Sequence, residues 1–583
     1  MSQGFHHQLP FGAEIQPDGD TLFRIWAPST PDLQLRIEDQ LMPMRSEPGG
    51  WHSARTPAPA GTSYCYVMPD GLSVPDPASR LQKADVHDPS VVVDPGAYVW
   101  RHPDWKGRPW HETVIYECHA GLMGGFKGLE AELPRLASLG FTAIELMPVS
   151  DVPGQRNWGY DGVLPYAPDT ALGTPDELKS LIDAAHGLNL VMLLDVVYNH
   201  FGPDGAYIHA LAKPFFREDL KSPWGAAIDF RRPEVREFFE QNALYWLNEY
   251  RFDGLRYDAV SQIKEELFLV EMASKIRRNT DDRHIHLTLE HEDNRAALIR
   301  AVDGDSLYDA QWTDDFHHAM HVLLTKETEG YYEDFVDATN LLVRCMAEGF
   351  AYQGQLSKHS GKPRGEPSGY LPTTGFIIFL QNHDQIGNRA LGDRLTSSVA
   401  PETLRAATAF MLLTPFIPML FMGEETASQT PFQFFTDHHD ELAELVRTGR
   451  RSEFGAFAAF KDESRRAQIP DPNAPETYEN SRPRPGDPDH PAWLTSILAL
   501  RREKITPYIP GCRSIGAHAF APGAIRATWK REDMKVLTVL LNLGEAHVEP
   551  TPAPQPTRGD VIFSIGGATP GSLPPSSLVV LLG

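Results

Sequence analysis

The sequence predicts an α/β protein: a (β/α)8 TIM barrel flanked by an N-terminal β-sandwich and a small C-terminal β-sheet domain. Three observations lead there. Between about residues 110 and 425, eight short apolar runs alternate with longer amphipathic stretches, as a parallel sheet buried on both faces requires. The flanking segments instead carry period-2 patterns between Gly, Pro and Asp punctuation, the mark of half-buried antiparallel strands. Finally, 583 residues, 41% hydrophobic and 22% charged, make a soluble folded chain with room for one large barrel and two small domains.

The elements follow in order. Residues 1–105 form the sandwich: Leu33, Leu35 and Ile37 alternate with Gln34, Arg36 and Glu38, and Thr21–Trp26 and Ser63–Val67 are similar runs. Residues 106–505 form the barrel. Its strands are expected at Val114–His119, Ala143–Val149, Leu190–Val197, Gly254–Val260, His286–Asp293, Leu307–Thr313, Phe376–Asp384 and Pro418–Glu424. A helix before the fourth strand starts at Pro233 and gathers Val235, Phe238, Phe239, Leu244 and Leu247 on one face. The most apolar stretch, Ala406–Gly423, is interrupted by Pro415 and Pro418, so it reads as a buried helix running into a buried strand and not as a membrane span. Seven prolines in 470–491 predict a surface loop or linker without regular structure. Residues 506–583 return to strands at Ala524–Trp529, Lys535–Leu543, Val561–Ser564 and Leu578–Leu582.

Composition excludes several function classes. Lys plus Arg number 53 and Asp plus Glu 78, a net charge of −25, which argues against nucleic acid or an anionic membrane as partner. The four cysteines are dispersed and form no Cys-x-x-Cys pair, so neither a disulfide framework nor a zinc or redox motif is expected. The N-terminus lacks the basic start and apolar stretch of a secretory signal, and a cytoplasmic location is expected.

Chemistry concentrates where the barrel strands end, the face on which such barrels carry their sites. The third strand ends in Asp195-Val-Val-Tyr-Asn-His200, the fourth in Arg256-Tyr-Asp258, the fifth in Glu290-His-Glu292 and the seventh in His383-Asp384-Gln385. Two carboxylates on separate strands suit glycoside hydrolysis, one as nucleophile or base and one as proton donor. Arg256 and Asp258 are two apart on a strand and leave it on the same side, where the guanidinium can keep Asp258 ionised. Asp258 is therefore the candidate nucleophile and Glu290, emerging from an apolar strand, the candidate general acid/base. Asp384 would stabilise the developing oxocarbenium charge, with His383 and His200 as neutral hydrogen-bond partners.

Plainer readings stand beside these. A lone strand-end Asp is more often a helix cap than a catalyst, and Asp195 fits that role. Glu292 and Asp293 compete with Glu290 for the proton-donor position. Trp158 and Tyr160 are either core aromatics or, in their Gly-rich loop, a platform for a sugar ring. His200 with Asp195, or His317 and His318 with Asp315, could be metal ligands, but the His-x-x-x-His pair, His317 and His321, lacks the Glu of a zinc-binding His-Glu-x-x-His helix; no metal or cofactor is expected. Independent caps would not select Arg-x-Asp, Glu and His-Asp together on different strand ends.

These four endings, in this order, resemble the signature regions of glycoside hydrolase family 13, the α-amylase family. The resemblance implies Asp258 as nucleophile, Glu290 as proton donor and Asp384 as transition-state stabiliser, with Tyr160, His200, Arg256 and His383 lining the sugar subsite. It also implies a retaining reaction, with carboxyl groups about 5–5.5 Å apart. Longer motifs, Gln311–His321, Gln381–Ala390, Pro431–His438 and Gly449–Phe454, resemble members of that family that cleave the α-1,4 bond beside the terminal trehalose unit of malto-oligosyltrehalose. On that likeness Asp315, His317, Gln385 and Asn388 would lie along the substrate cleft, and the pathway partner would be malto-oligosyltrehalose synthase. The alternatives are a glycogen branching enzyme or another family 13 glucan hydrolase using the same carboxylates, and a glucan-binding protein with an inactive barrel.

Overall fold

The computed structural model describes residues 4–280, 282–299, 301–302, 305–456, 458–550 and 559–583. Eight parallel strands close a barrel: β1 (Ile115–Cys118), β2 (Ala143–Leu146), β3 (Val191–Val196), β4 (Gly254–Tyr257), β5 (His286–Leu289), β6 (Ala310–Trp312), β7 (Phe376–Ile378) and β8 (Ile417–Phe421). Closure is made by β1 pairing with β8, Ile115 opposite Met419 and Glu117 opposite Phe421. The lower lumen is filled by Ile115, Ala143, Val191, Leu193, Ala310, Ile377, Ile417 and Met419, an apolar plug on which the polar strand ends rest.

Every expected barrel strand is present, but the fifth and seventh stop well short of the expected ends. β5 ends at Leu289, so Glu290–Asp293 lie in the turn beyond it, and β7 ends at Ile378, leaving His383 and Asp384 to open a short helix. The physical reason is common to both: apolar periodicity continues past the last ladder bond, and only the hydrogen bonds end a strand. Ala406–Gly423 is a helix, Pro401–Leu412, followed by β8. Among the described residues no helix is long and apolar enough to cross a membrane.

The helix before β4, α1 (Pro233–Asn248), begins at the expected proline and buries Val235, Phe238, Phe239, Leu244 and Leu247. N-terminal to the barrel, two antiparallel sheets share a core of Phe23, Ile25, Leu35, Tyr64, Tyr66 and Val74. C-terminal to it lies a five-stranded antiparallel sheet that includes Arg513–Ala521. That strand was not expected, because it is an edge strand, largely solvated and bulged at Ser514/Gly516 and Ala519/Ala521, and so lacks an apolar alternation.

The Pro-rich segment corrects a second expectation. It contains a helix, Pro475–Glu479, with Pro475 at its first position, where a proline's missing N–H costs nothing. Its second half is tied down as well: Ser481 Oγ accepts from the Gln433 amide and Arg482 donates to the Leu122 carbonyl. The segment leads into α4 (His490–Lys504), counted after α2 (Asp314–Thr325) and α3 (His383–Gly387). From α4 the buried Arg501 donates to the carbonyls of Leu412, Thr414 and Phe416 at 2.6–2.8 Å, fixing the loop before β8.

Candidate active site

The β3–β4 and β4–β5 registers put Asp195, Arg256 and Thr288 in one row across three strands. Arg256 is fully buried and stacks on the Trp312 ring, 4.1 Å from its centroid. Its guanidinium fans out to three carboxyl groups: Asp195 Oδ2 at 2.6 Å, Asp258 Oδ1 at 3.0 Å and Glu290 Oε2 at 2.8 Å. A planar fork of donors suits this gathering, and a lysine would not reach all three.

Asp258 follows β4 and is held from a second side by Asn199, whose amide donates to its Oδ2 at 2.7 Å and to its backbone carbonyl at 2.9 Å. The next residue, Ala259, has a left-handed backbone (φ 40°), which aims its N–H at Glu290 Oε2, 2.8 Å away. Burial pushes the Glu290 carboxyl well above the usual carboxylate range; Arg256 opposes the rise, and the nearby Asp258, Asp384 and Asp314 add to it. Asp195 is raised by burial to about 6, with Asp258 adding to the rise.

Asp384 sits in the first turn of α3, 3.3 Å from His383 and accepting from Asn388 Nδ2 at 3.1 Å. Burial alone would raise it; the His383 ring holds it below its ordinary value instead. His383 is flanked on its other side by Glu117 at the end of β1, 2.5 Å from Nδ1. Burial opposes a charged imidazole, but the two carboxylates win and raise its pKa well above 6.5. The expectation of a neutral His383 is therefore corrected: its two carboxyl neighbours favour the protonated ring. His200 is lowered by burial and is neutral, its ring bonded to Asn199 and to the Tyr160 carbonyl. Tyr160 donates to Asp195 Oδ2 at 2.6 Å and lies parallel to the His383 ring.

Beside Glu290 and Asp384 opens a cavity of about 850 Å³ whose lining includes Asp314, His318, Tyr331, Arg364, Gln385 and Asn388. Gln385 reaches Asp314 Oδ1 at 3.2 Å. Two expected cleft residues are displaced from it. Asp315 is buried behind the wall, accepting from the amides of Ala351 and Tyr352 and pairing with Arg364. His317 is buried between the Leu380 carbonyl and the Tyr332 hydroxyl. The correction is one of helical phase: on α2 the positions i and i+4 facing the cavity are 314 and 318. Among the described residues no group of His, Cys, Asp or Glu is arranged to hold a metal ion.

The α-amylase catalytic-domain family model matches residues 98–224, and a domain of unknown function (DUF3459) matches residues 512–580. A malto-oligosyltrehalose trehalohydrolase from Deinococcus radiodurans is 40% identical over 84% of this chain and 83% of its own length. One from Saccharolobus solfataricus is 38% identical over 77% of this chain and 81% of its own. The chain belongs to the malto-oligosyltrehalose trehalohydrolase branch of the α-amylase family. A solved structure described provisionally as an alpha amylase, from Salmonella typhimurium, superposes with a TM-score of 0.93 at 42% identity, covering 99% of this chain and all of that one.

In this member of the trehalohydrolase branch, four site residues escaped the sequence reading. Glu117 and Glu145 lie on strands taken as purely apolar, although each is a lone acid within an apolar run, which is a usable signal. Asp195 was read as a cap and is instead the third carboxylate on Arg256. Trp224, 48% exposed, stacks on His200 at 4.3 Å from a hairpin (Phe216–Ser222, Gly225–Ile228) that has no apolar pattern. Trp158, by contrast, is buried against Phe432, Phe434 and His383; of the two candidate platform residues, it is a core aromatic.

Proposed function

We propose that this enzyme hydrolyses the α-1,4-glucosidic bond beside the terminal trehalose unit of malto-oligosyltrehalose, releasing trehalose and a malto-oligosaccharide with retention of anomeric configuration. The observation that carries the chemistry is the Arg256 guanidinium holding Asp258 through one terminal nitrogen and Glu290, from the adjacent strand end, through the other. The relatives' activity supplies the linkage.

Asp258 attacks the anomeric carbon as the bond to the leaving oxygen breaks, and Glu290 gives that oxygen its proton. Both donors to Glu290 fall on Oε2, which leaves Oε1 for the glycosidic oxygen. In the second half, water attacks the same carbon, Glu290 takes the water's proton and Asp258 is released as carboxylate. Asp384, kept ionised beside the His383 imidazolium, faces the positive charge that develops at the sugar ring. Tyr160, His200 and His383 bound the sugar being transferred. Gln385, Asn388, Asp314 and His318 face the cavity beside Glu290, where the trehalose unit would present hydroxyls that a plain glucan end does not. The partner this implies is a malto-oligosyltrehalose synthase that makes the substrate, working with this enzyme in the cytoplasm.

The test is product analysis with malto-oligosyltrehalose and, separately, malto-oligosaccharide of equal length, beside Asp258→Ala. Prompt trehalose release from the first, slow turnover of the second and loss of both in Asp258→Ala are expected. New α-1,6 branches without free trehalose would replace this reading with a branching transferase.

A further inference from the structure

Above its apolar plug the barrel lumen is polar. Glu145 points inward from β2, its backbone paired with Glu117 on one side and Leu193 on the other. Both its carboxyl oxygens are buried without a protein partner among the described residues, and so are Asp195 Oδ1, Arg256 Nε, Thr288 Oγ1 and Trp312 Nε1. These five residues come from five successive strands, β2 to β6. Asp195, Arg256 and Thr288 share a row, Trp312 lies against the Arg256 guanidinium, and Glu145 is within electrostatic reach of both Asp195 and Arg256.

Buried polar atoms left unpaired are costly, and native interiors meet them with ordered water that makes about three hydrogen bonds. The layer below is filled by apolar side chains, so packing alone does not demand an acid at 145. Asp195 needs the help most. Its Oδ2 is taken by Tyr160 and Arg256, while Oδ1 faces the lumen with nothing to accept from.

We propose that Glu145 is a positioning residue for the catalytic centre, the donor end of a water-bridged hydrogen-bond network in the barrel lumen that holds Asp195 through its free Oδ1. Burial, reinforced by the neighbouring Glu117 and Asp195, favours the protonated Glu145 carboxyl, which offers a hydrogen toward Asp195 Oδ1 and still leaves an acceptor for Arg256 Nε and Trp312 Nε1, both of which can only donate. The chain of contacts then runs from Glu145 through water to Asp195, from Asp195 to Arg256, and from Arg256 to Asp258 and Glu290. Without the bridge, Asp195 is anchored on one oxygen only and the guanidinium fork loses one of its fixed points. The inference rests on the reading of Asp258 and Glu290 as the reacting pair.

The test uses the full-length enzyme and two substitutions. Glu145→Gln keeps a donor and an acceptor at the same place and should retain kcat within about threefold. Glu145→Leu fills the space without either and should lower kcat about tenfold or more, with KM little changed, as small misplacements of reacting groups do. Its thermal midpoint should not fall, since trading a buried acid for an apolar residue is neutral or stabilising for the fold. A wild-type crystal structure at atomic resolution should show water within hydrogen-bond distance of both Glu145 and Asp195 Oδ1. Wild-type kcat in Glu145→Leu, equal damage in both variants, or a dry lumen in the crystal would overturn the proposal. Should Glu145→Leu fail to fold, the Glu145→Gln rate and the crystal still decide. A wild type that releases no trehalose but shows the bridging water would refute the proposed substrate and leave the network standing.

Discussion

Ala259 donates its backbone N–H to Glu290 from a left-handed conformation, so the residue that follows one carboxylate fixes the position of the other. Left-handed backbone at a non-glycine residue costs about 1 kcal/mol or more, and here that strain secures the spacing of the pair. A β-branched side chain makes the conformation harder to hold. Ala259→Val should therefore lose about 1–2 kcal/mol of stability and much of its kcat, whereas Ala259→Gly should melt at or above the wild-type temperature and stay active. Thermal melts and initial rates check both; an Ala259→Val enzyme of full activity would dissociate the turn from catalysis.

Glu290 and its neighbour two residues on can be told apart by rate. Glu292 lines the same cavity, but Arg256 pairs with Glu290. Glu290→Gln should cut kcat about a thousandfold and Glu292→Gln should not. Because burial and the surrounding carboxylates raise the Glu290 pKa, kcat/KM should decline on the alkaline side as Glu290 loses its proton. That limb should be missing from the residual activity of Glu290→Gln.

The pair formed by Glu117 and His383 makes stability depend on pH in a definite direction. The folded state holds the His383 proton more tightly than the unfolded chain, where histidine titrates near 6.5. The stabilisation is thus complete below about pH 6.5 and lost as pH rises through the raised folded value. In urea titrations Glu117→Gln should be less stable than wild type by about 3 kcal/mol at pH 6, with the gap narrowing toward pH 10. A gap that widens with pH would exclude the ion pair.

Asp169 behaves in the reverse sense. Burial raises its carboxyl to about 7, with Asp85 adding to the rise, although the Ala171 amide opposes it. The fold therefore prefers the protonated form, and stability is lost as pH rises from about 4 to 7. Asp169→Asn keeps the acceptor for Ala171 and removes the titration. It should match wild type near pH 4 and exceed it at pH 8, by on the order of 1 kcal/mol or more; equal stability at both would show that the site is not dehydrated.

Arg501 should matter to the fold and not to the chemistry. Arg501→Met leaves the three carbonyls before β8 without their donor, a loss of about 3 kcal/mol. A thermal midpoint several degrees lower with unchanged KM is expected.

The barrel was legible because apolar periodicity is a property of each run by itself. The acid-bearing strand ends were legible because Asp, Glu, Arg and His gather on four of them, more than helix capping asks for. What escaped depended on phase or on partners in other elements. Whether 314 or 315 faces the cavity is set by how α2 rolls against the barrel, and nothing in Asp314-Asp315 distinguishes them. Asp195 reads as a cap until Arg256 is seen to reach it from the neighbouring strand. The His383 charge depends on Glu117, which is 266 residues away. Trp224 sits on a solvated hairpin with no pattern to announce it.

The contact between Glu117 and His383 spans the seam at which β1 meets β8. Its two halves leave the ribosome far apart in time, and the first must wait, as an unpaired acid on an unclosed sheet, for the second to arrive. Pairings of such long sequence separation form late and slowly. During synthesis the catalytic layer is thus among the last parts of the molecule to assemble, and regain of activity after dilution from denaturant should lag the return of helical signal, reporting the moment the barrel seals.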